Sequence, residues 1–546
     1  MKDEWEQSMS HTKSEKHKHE DFTEGPVMRL AGKWKSGIFS LIFSRFTLIV
    51  IMFIIQIIFM LALWGFFGDL FGHVYKVLRP AFVAVILLVL VNSDMDSSAK
   101  ITWMLVGAVV PLFTALFYVW TRTEVGHRKI GKRMNEITEL LRPEMAQDPE
   151  TFKRLKATAR DTSSVAGYTM KVGDFPAYDG SKVTYFPLGE DKFPVMLEKL
   201  ESAEKYIFLE YFIIQEGYMW GRILDILKRK ADAGVEVRVM FDGTCLLGKV
   251  PADYQERLQR IGIQCKVWEP LTPVITSTYN YRDHRKVLVV DGKVAFNGGV
   301  NLADEYINKT HPFGHWKDTA VMVEGKAVRS YIKMFLEMWN AADEGLEENW
   351  GRYLDERPEP VTGAQGFVIP YADSPLDDYK VGEMVYIDVL NTAEDYVYIT
   401  TPYLILDGEL TSALKFAAER GVDVRIIMPG IPDKKMVYAL SRSYYRTLLK
   451  SGVRIYEYTP GFVHAKVFVS DDRKAIVGTI NLDYRSLYHH FECATYMVDV
   501  PCVSEIKQDY LMTLNACREV TEEVYHSWNG LEQLLGAVIR IFAPML

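Results

Sequence analysis

Along the chain, apolar and polar positions are arranged in three different ways, and each predicts a different kind of structure. From Phe46 to Phe67 the run FTLIVIMFIIQIIFMLALWGFF carries no charge and a single amide, Gln56. A helix rising about 1.5 Å per residue would take it across a bilayer core about 30 Å thick. The run ITWMLVGAVVPLFTALFYVW, from Ile101 to Trp120, is also charge-free and long enough. PAFVAVILLVLV, starting at Pro80, is too short to span alone. Trp64, Trp103 and Trp120 fit an interfacial aromatic belt. Residues 1–28, by contrast, are charged, rich in His and Glu and poor in apolar groups, which predicts a disordered tail.

Past about residue 135 the apolar runs shorten. A polar, helical stretch leads away from the apolar region. After it, YIFLEYFII, VEVRVMFD and KVLVVD alternate with amphipathic segments such as WGRILDILKRKADAG. Short strands alternating with helices predict an α/β fold with mixed, largely parallel sheets flanked by helices. The extreme C-terminus, LEQLLGAVIRIFAPML, repeats apolar residues at helical spacing. That face is expected either to pack on the globular part or to lie in a bilayer interface.

The globular part is internally repeated. AEKYIFLEYFII (203–214) parallels AEDYVYITTPYLI (393–405), ADAGVEVRVMFDG (231–243) parallels AERGVDVRIIMPG (418–430), and RIGIQCKVWEP (260–270) parallels KSGVRIYEYTP (450–460). Next in both copies comes one motif: HRKVLVVDGKVAFNGGVN from His284 and HAKVFVSDDRKAIVGTIN from His464. Similar spacing throughout indicates one domain duplicated in tandem rather than a short-period solenoid.

Strand geometry sorts the side chains of each motif, because alternate residues share a face. His284 and Lys286 point one way, as do His464 and Lys466, while Asp291 and Asp471 fall on the other face and read as structural. Asn301 and Asn481 return an amide to the His-Lys face. Gly298, Gly299, Gly478 and Thr479 are small residues suited to a close backbone approach. Two Lys and two Asn can hold the non-bridging oxygens of a phosphodiester where charge shifts in the transition state. One neutral imidazole can attack phosphorus and the other, protonated, can donate to the leaving alkoxide. No metal or other cofactor is expected, since no ligand cluster accompanies the motifs.

Charge and cysteine content narrow the classes. The net charge is -8, so the basic footprint of a nucleic-acid binder is absent. Cys245, Cys265, Cys493, Cys502 and Cys517 are scattered, which argues against a zinc site or a disulfide framework. Basic residues flank the apolar region on both sides, Arg29 to Arg45 before it and Arg122 to Arg133 after it. Both flanks are therefore expected on the cytoplasmic side of a membrane, which requires an even number of crossings; with two or three hydrophobic segments between them, either the middle run is re-entrant or the tail sits outside, and the C-terminal side is the better supported as cytoplasmic.

The paired H-x-K-x4-D-x6-G-x2-N motifs resemble those of the phospholipase D superfamily. The flanking stretches NYRDHRKVLVVDGKVAFNGGVNLADEY, HWKDTAVMVEG, ITTPYLILDGEL, GFVHAKVFVSDD and VGTINLDYRSLYHHFE are similar to bacterial cardiolipin synthases. The likeness runs from about residue 44 to the C-terminus. It implies phosphatidyl transfer between two phosphatidylglycerol molecules, giving cardiolipin and glycerol, with His284 as nucleophile and His464 as acid and then base. It counts Asp291 and Asp471 within the catalytic motif. It also implies that Asp318 and Glu492 each orient a catalytic imidazole. Glu210 and Tyr403, taken as corresponding points of the repeat, are expected to line the cleft. His311, His315, His489 and His490 read as rim or core residues rather than ligands. A hydrolase, or transfer to another lipid alcohol, is the alternative. The expected organisation is a charged cytoplasmic tail (1–43), a membrane region (44–122), a linker helix (123–165) and two phospholipase D-like domains (166–355 and 356–546). The expected partners are phosphatidylglycerol, cardiolipin and the membrane, with no nucleic acid.

Overall fold

The computed structural model describes residues 26–30, 80–109 except 94, and 125–545 except 270–280, 344, 346, 348 and 355–357, with isolated positions 58, 62, 114 and 118. The expected tail and the span Phe46–Phe67 thus lie almost wholly outside the described residues. Among those residues, no helix is long and apolar enough to cross a membrane. Residues 80–91 are helical, and Val85, Leu88 and Val91 on that stretch are exposed.

The first half contributes β1 (Ser181–Phe186), β2 (Tyr206–Tyr211), β3 (Glu236–Asp242), β4 (Gln264–Trp268), β5 (Arg282–Asp283), β6 (Lys286–Val290), β7 (Val294–Gly298), β8 (His315–Lys317) and β9 (Ala320–Gly325). The second contributes β10 (Phe367–Asp373), β11 (Tyr396–Thr400), β12 (Asp423–Pro429), β13 (Arg454–Tyr458), β14 (Gly461–Val463), β15 (Val467–Ser470), β16 (Lys474–Gly478), β17 (His490–Val498) and β18 (Cys517–Val520). One sheet runs β1-β9-β7-β6-β2-β3-β4 and the other β10-β17-β16-β15-β11-β12-β13-β18. Apart from β18 the two orders are the same, strand for strand. The duplication read in the sequence is therefore a duplication of topology.

The sheets are mixed, but the expectation that they are largely parallel needs correcting. Along these two strand orders, β2-β3-β4 and β11-β12-β13 run parallel and the other ladders are antiparallel. The amphipathic segments that suggested parallel pairing are the crossover helices of those triplets, such as Tyr218–Asp232 and Gly408–Glu419. Between β6 and β7 the connection is too short for a crossover. Only Asp291, Gly292 and Lys293 separate β6 from β7, which forces a hairpin.

The helix Val328–Ala341 is buried along its whole length and touches β2 and β6 of the first sheet and β10 of the second. One continuous apolar core therefore includes residues of both halves. The C-terminal helix Gly530–Arg540 divides its faces. Gly536 and Ile539 turn toward the helix Lys435–Leu449, while Leu531, Leu534, Leu535 and Val538 stay exposed. The two sequence alternatives thus apply to opposite sides of one helix: one side packs, and the other remains open to a partner.

Candidate active site

Two strand pairings that cross between the halves build the site. β5 lies parallel to β17, with His490 opposite Arg282 and Phe491 opposite Asp283, and β8 lies parallel to β14, with Trp316 opposite Phe462. The backbone then continues each pairing by one step. His284 N–H donates to the Phe491 carbonyl at 3.0 Å, and His464 N–H donates to the Lys317 carbonyl at 2.7 Å. The next residue on each partner strand is an acid, so each motif His meets a carboxylate of the opposite half. His284 Nδ1 is 2.8 Å from Glu492 Oε1, and His464 Nδ1 is 2.6 Å from Asp318 Oδ2. Pairing at Nδ1 leaves Nε2 of each ring for chemistry.

Burial sets the charges. His284, Lys286, His464, Lys466, Asp318 and Glu492 are all nine-tenths or more buried. Burial pushes the His464 imidazole down to about 4, helped by Lys466 and opposed by Asp318. His284 is pushed well below the ordinary histidine value, by burial first and then by Lys286. Burial thus favours the neutral form of both rings, and Asp318 favours the charged form of His464. The lysines are depressed by the same cause, Lys286 to about 8 and Lys466 to about 7. Each lysine curls back on its own motif: Lys286 Nζ donates to the His284 carbonyl at 2.6 Å, and Lys466 Nζ to that of His464. A third buried lysine, Lys192, donates to the Tyr211 hydroxyl at 3.1 Å and is lowered to about 7 by burial.

The two carboxyl groups differ. Burial works to raise Asp318, yet His464 and then Lys466 hold it below its ordinary value. Glu492 stays well above the ordinary value because burial outweighs Lys286. A small residue accounts for part of the geometry. A Cβ at Gly299 would collide with the Asp318 carboxylate, so that side needs glycine. The equivalent position on the other side is Thr479, whose hydroxyl donates to Glu492 Oε2.

Asp291 and Asp471 are placed away from this chemistry, as strand alternation predicts, so counting them as catalytic is corrected. Each has left-handed backbone after its strand. Asp291 accepts from the N–H groups of Glu204, Lys205 and Tyr206, each at 2.8 Å. Asp471 does the same for Glu394, Asp395 and Tyr396. They tie the start of β2 and of β11 to the motif strand.

The amides are not equivalent either. Asn301 is fully engaged, accepting from Ile213 N–H and donating to the Tyr306 hydroxyl at 2.9 Å. Asn481 Oδ1 is buried without a hydrogen-bond partner among the described residues.

Two further expectations are corrected. Ladder register pairs Glu210 with Val287 and Thr400 with Val467, so Glu210 corresponds to Thr400 and not to Tyr403. Glu210 also shares its face with Tyr206 and Phe208, in the core between the halves, whereas Lys286 points to the other side. It therefore does not line the cleft. Tyr403 stands behind Phe462, 6.5 Å between ring centres, and Phe462 in turn lies 6.0 Å from His464.

Sequence reasoning missed the aromatic walls and the place of His490. Phe212 meets His284 edge-on at 4.8 Å, and Tyr306 and Trp316 lie 5.5 and 5.6 Å from His464. His490 is buried, with its ring 5.3 Å from that of His284. It is two residues before Glu492 on a strand, and that alternation was a legible sign that both share a face. The expectation that no ligand cluster accompanies the motifs is corrected too, because ligand atoms of His284, His490 and Glu492 lie within 4.8 Å of one another. His315 is half-buried, its Nδ1 3.0 Å from the Tyr458 hydroxyl, and His311 is exposed.

With this geometry in place, comparisons with known proteins bear on family. The family described as cardiolipin synthase, PLD-like domain, matches residues 196–339 and 386–512, one block in each half. A cardiolipin synthase of Alkalihalophilus pseudofirmus is 32% identical over 82% of this chain and 88% of its own length. The chain belongs to the cardiolipin synthase family. An uncharacterized protein of Streptococcus mutans is 54% identical over 84% of this chain and 99% of its own. Among solved structures, the phosphatidylserine synthase of Haemophilus influenzae superposes with a TM-score of 0.52 at 17% identity, covering 67% of this chain and 93% of that one, a likeness of fold. The family blocks contain both motifs and both crossed carboxylates, so the members are enzymes of the phospholipase D type and this chain is one of them.

Proposed function

We propose that this chain is a cardiolipin synthase that transfers a phosphatidyl group from one phosphatidylglycerol to the terminal glycerol hydroxyl of another. The crossed pairs His284–Glu492 and His464–Asp318 carry this reading, since they set two carboxyl-backed imidazoles in one buried site with Lys286 and Lys466. In the first step His284 Nε2 bonds to phosphorus while the P–O bond to glycerol breaks. His464 acts here in its imidazolium form, Nδ1–H held by the Asp318 carboxylate; it delivers its Nε2 proton to the departing alkoxide and is left neutral. In the second step His464 takes the proton of the incoming hydroxyl, whose oxygen displaces His284 from phosphorus. Products are cardiolipin and glycerol, with no proton gained or lost overall.

The lysines neutralise the phosphodiester oxygens, and Asn481 Oδ1, unsatisfied among the described residues, is available to accept from a substrate hydroxyl. The exposed apolar faces of the C-terminal helix and of residues 80–91, with the basic flanks of the N-terminal apolar runs, support catalysis at the cytoplasmic face of the plasma membrane.

The test is purified full-length protein in mixed micelles of detergent and phosphatidylglycerol labelled in its glycerol headgroup. Transfer releases one glycerol for each cardiolipin formed. Release of glycerol with phosphatidic acid as the lipid product would make the enzyme a hydrolase and overturn the proposal.

A further inference from the structure

We propose that His284, His490 and Glu492 form a binding site for one zinc-class divalent ion, present on only one side of the catalytic pair. Three observations converge. The His284 Nδ1–Glu492 Oε1 distance is 2.8 Å and the His490 Nδ1–Glu492 Oε1 distance is 3.6 Å. Donor atoms around a tetrahedral zinc, at about 2.0 to 2.2 Å from the metal, are separated by about 3.4 Å, so small side-chain rotations suffice. His490 Nδ1 is buried with no hydrogen-bond partner among the described residues, although the ring lies against the site. Two imidazoles and a carboxylate are also the donor set that suits zinc rather than magnesium or calcium.

The other half shows why the site is single. Crossed pairing makes Trp316-Lys317-Asp318 the equivalent of His490-Phe491-Glu492, since His464 N–H binds Lys317 as His284 N–H binds Phe491. Trp316 therefore stands beside His464 as His490 stands beside His284, at 5.6 and 5.3 Å. An indole offers no metal lone pair, so only the His284 side can take an ion.

The ion is an inhibitor and not a resident cofactor. Lys286, Arg282 and Arg485 add positive charge around the site, which weakens cation binding and makes occupancy depend on free zinc. When zinc occupies Nδ1, the proton that Nδ1 shares with Glu492 must leave it. Kept on the ring, that proton sits on Nε2 and removes the lone pair needed to attack phosphorus. Binding is independent of the proposed reaction; the inhibition rests on that reading.

The test uses full-length protein in detergent with His11, His17 and His19 of the tail replaced by Ala, so that the tail holds no metal. Calorimetric titration with zinc is expected to show one ion per chain, with affinity at least about tenfold weaker in His490→Gln. In the parent, zinc should shield His284 and His490, but not His464, from diethylpyrocarbonate, as read by mass spectrometry. That measurement needs no folded variant. Zinc titration of transfer, with each protein normalised to its own zinc-free rate, should require about ten times more metal in His490→Gln. No zinc bound by the parent, equal affinity in the variant, or equal shielding of His464 would each overturn the site. Zinc bound and shielding as expected, but without inhibition, would leave the site standing and overturn only the role drawn from the proposed mechanism.

Discussion

Set side by side, the His464–Asp318 and His284–Glu492 pairs have the same backbone support and different electrostatics. In both, a motif His is hung by its N–H on a strand of the opposite half and faces the acid one residue further on. Asp318 is held ionised by His464 and Lys466 against the pull of burial, whereas burial keeps the Glu492 carboxyl well above its usual range. The Lys466 ammonium lies 3.0 Å from His464 Nδ1, so the second lysine reinforces the Asp318 side. Differences of a few side chains, Gly299 against Thr479 and Trp316 against His490, accompany the divergence. Duplication thus supplies two equivalent positions, and the residues around each position decide what its imidazole is disposed to do.

The proposed division of labour breaks or survives on the histidines themselves, where the largest effects lie. His284→Ala removes the atom that bonds to phosphorus and should cost on the order of 10⁵ in rate, with no trapped lipid. His464→Ala should lose about 10²–10⁴ and, with a substrate carrying a p-nitrophenol leaving group, should accumulate phosphohistidine at 284. Mass spectrometry locating that adduct at 464 would reverse the roles while leaving the two-histidine chemistry intact.

The carboxyl groups should separate next. Asp318→Asn replaces an ionised partner by an amide and turns the His464 ring toward the wrong tautomer, a loss of about 10³–10⁴. Glu492→Gln replaces a carboxyl already biased toward its protonated form, so a loss of about 10–10² is expected. Equal losses in steady-state transfer assays would mean that the two acids carry the same charge in the working enzyme.

A smaller difference tests the pair Gly299 and Thr479. Gly299→Ala drives a methyl into Asp318 and should move that acid off His464, costing about 10² in kcat. Thr479→Val only deletes the hydroxyl that donates to Glu492, worth about 1 kcal/mol, or about fivefold. The steric reading fails if Gly299→Ala retains the parent's rate with unchanged Tm.

These contrasts also mark how far the chain was legible as a sequence. His284, Lys286, His464 and Lys466 stood out because a strand repeats every second residue and the motif occurs twice. The same spacing put Asp291 on the opposite face, but not its αL turn or the three backbone N–H groups that it ties down. Crossed pairing did not, since it depends on β5 and β8 leaving their own sheets, and a two- or three-residue strand carries almost no pattern. The misplacement of Glu210 beside Tyr403 has a similar origin. Apolar runs of similar pattern tolerate a slip of three residues, but ladder register does not. The antiparallel majority was hidden because crossover helices announce themselves by their amphipathic period, while a three-residue hairpin turn such as Asp291-Gly292-Lys293 hardly does.

The mildest and most direct probe of the asymmetry is pH. Burial lowers Lys466 to about 7 and Lys286 to about 8, so raising pH strips the charge of Lys466 before that of Lys286. A lysine is charged below its pKa, and the charged form is what attracts the phosphodiester. kcat/KM should therefore fall on the alkaline side, by up to about tenfold per pH unit beyond the first of these pKa values. On the acid side the limb belongs to Glu492, which must lose its proton before His284 Nε2 presents a lone pair. Bound phosphodiester is an anion and raises both lysine pKa values, so the alkaline limb of kcat should lie above that of kcat/KM. Lys466→Arg keeps its charge throughout this range. Its kcat/KM, normalised to its own maximum, should stay level through about pH 7 and decline only near the Lys286 value. An alkaline limb left where it was would mean that Lys466 does not set it, and the electrostatic distinction between the two halves would then rest on the carboxyl groups alone.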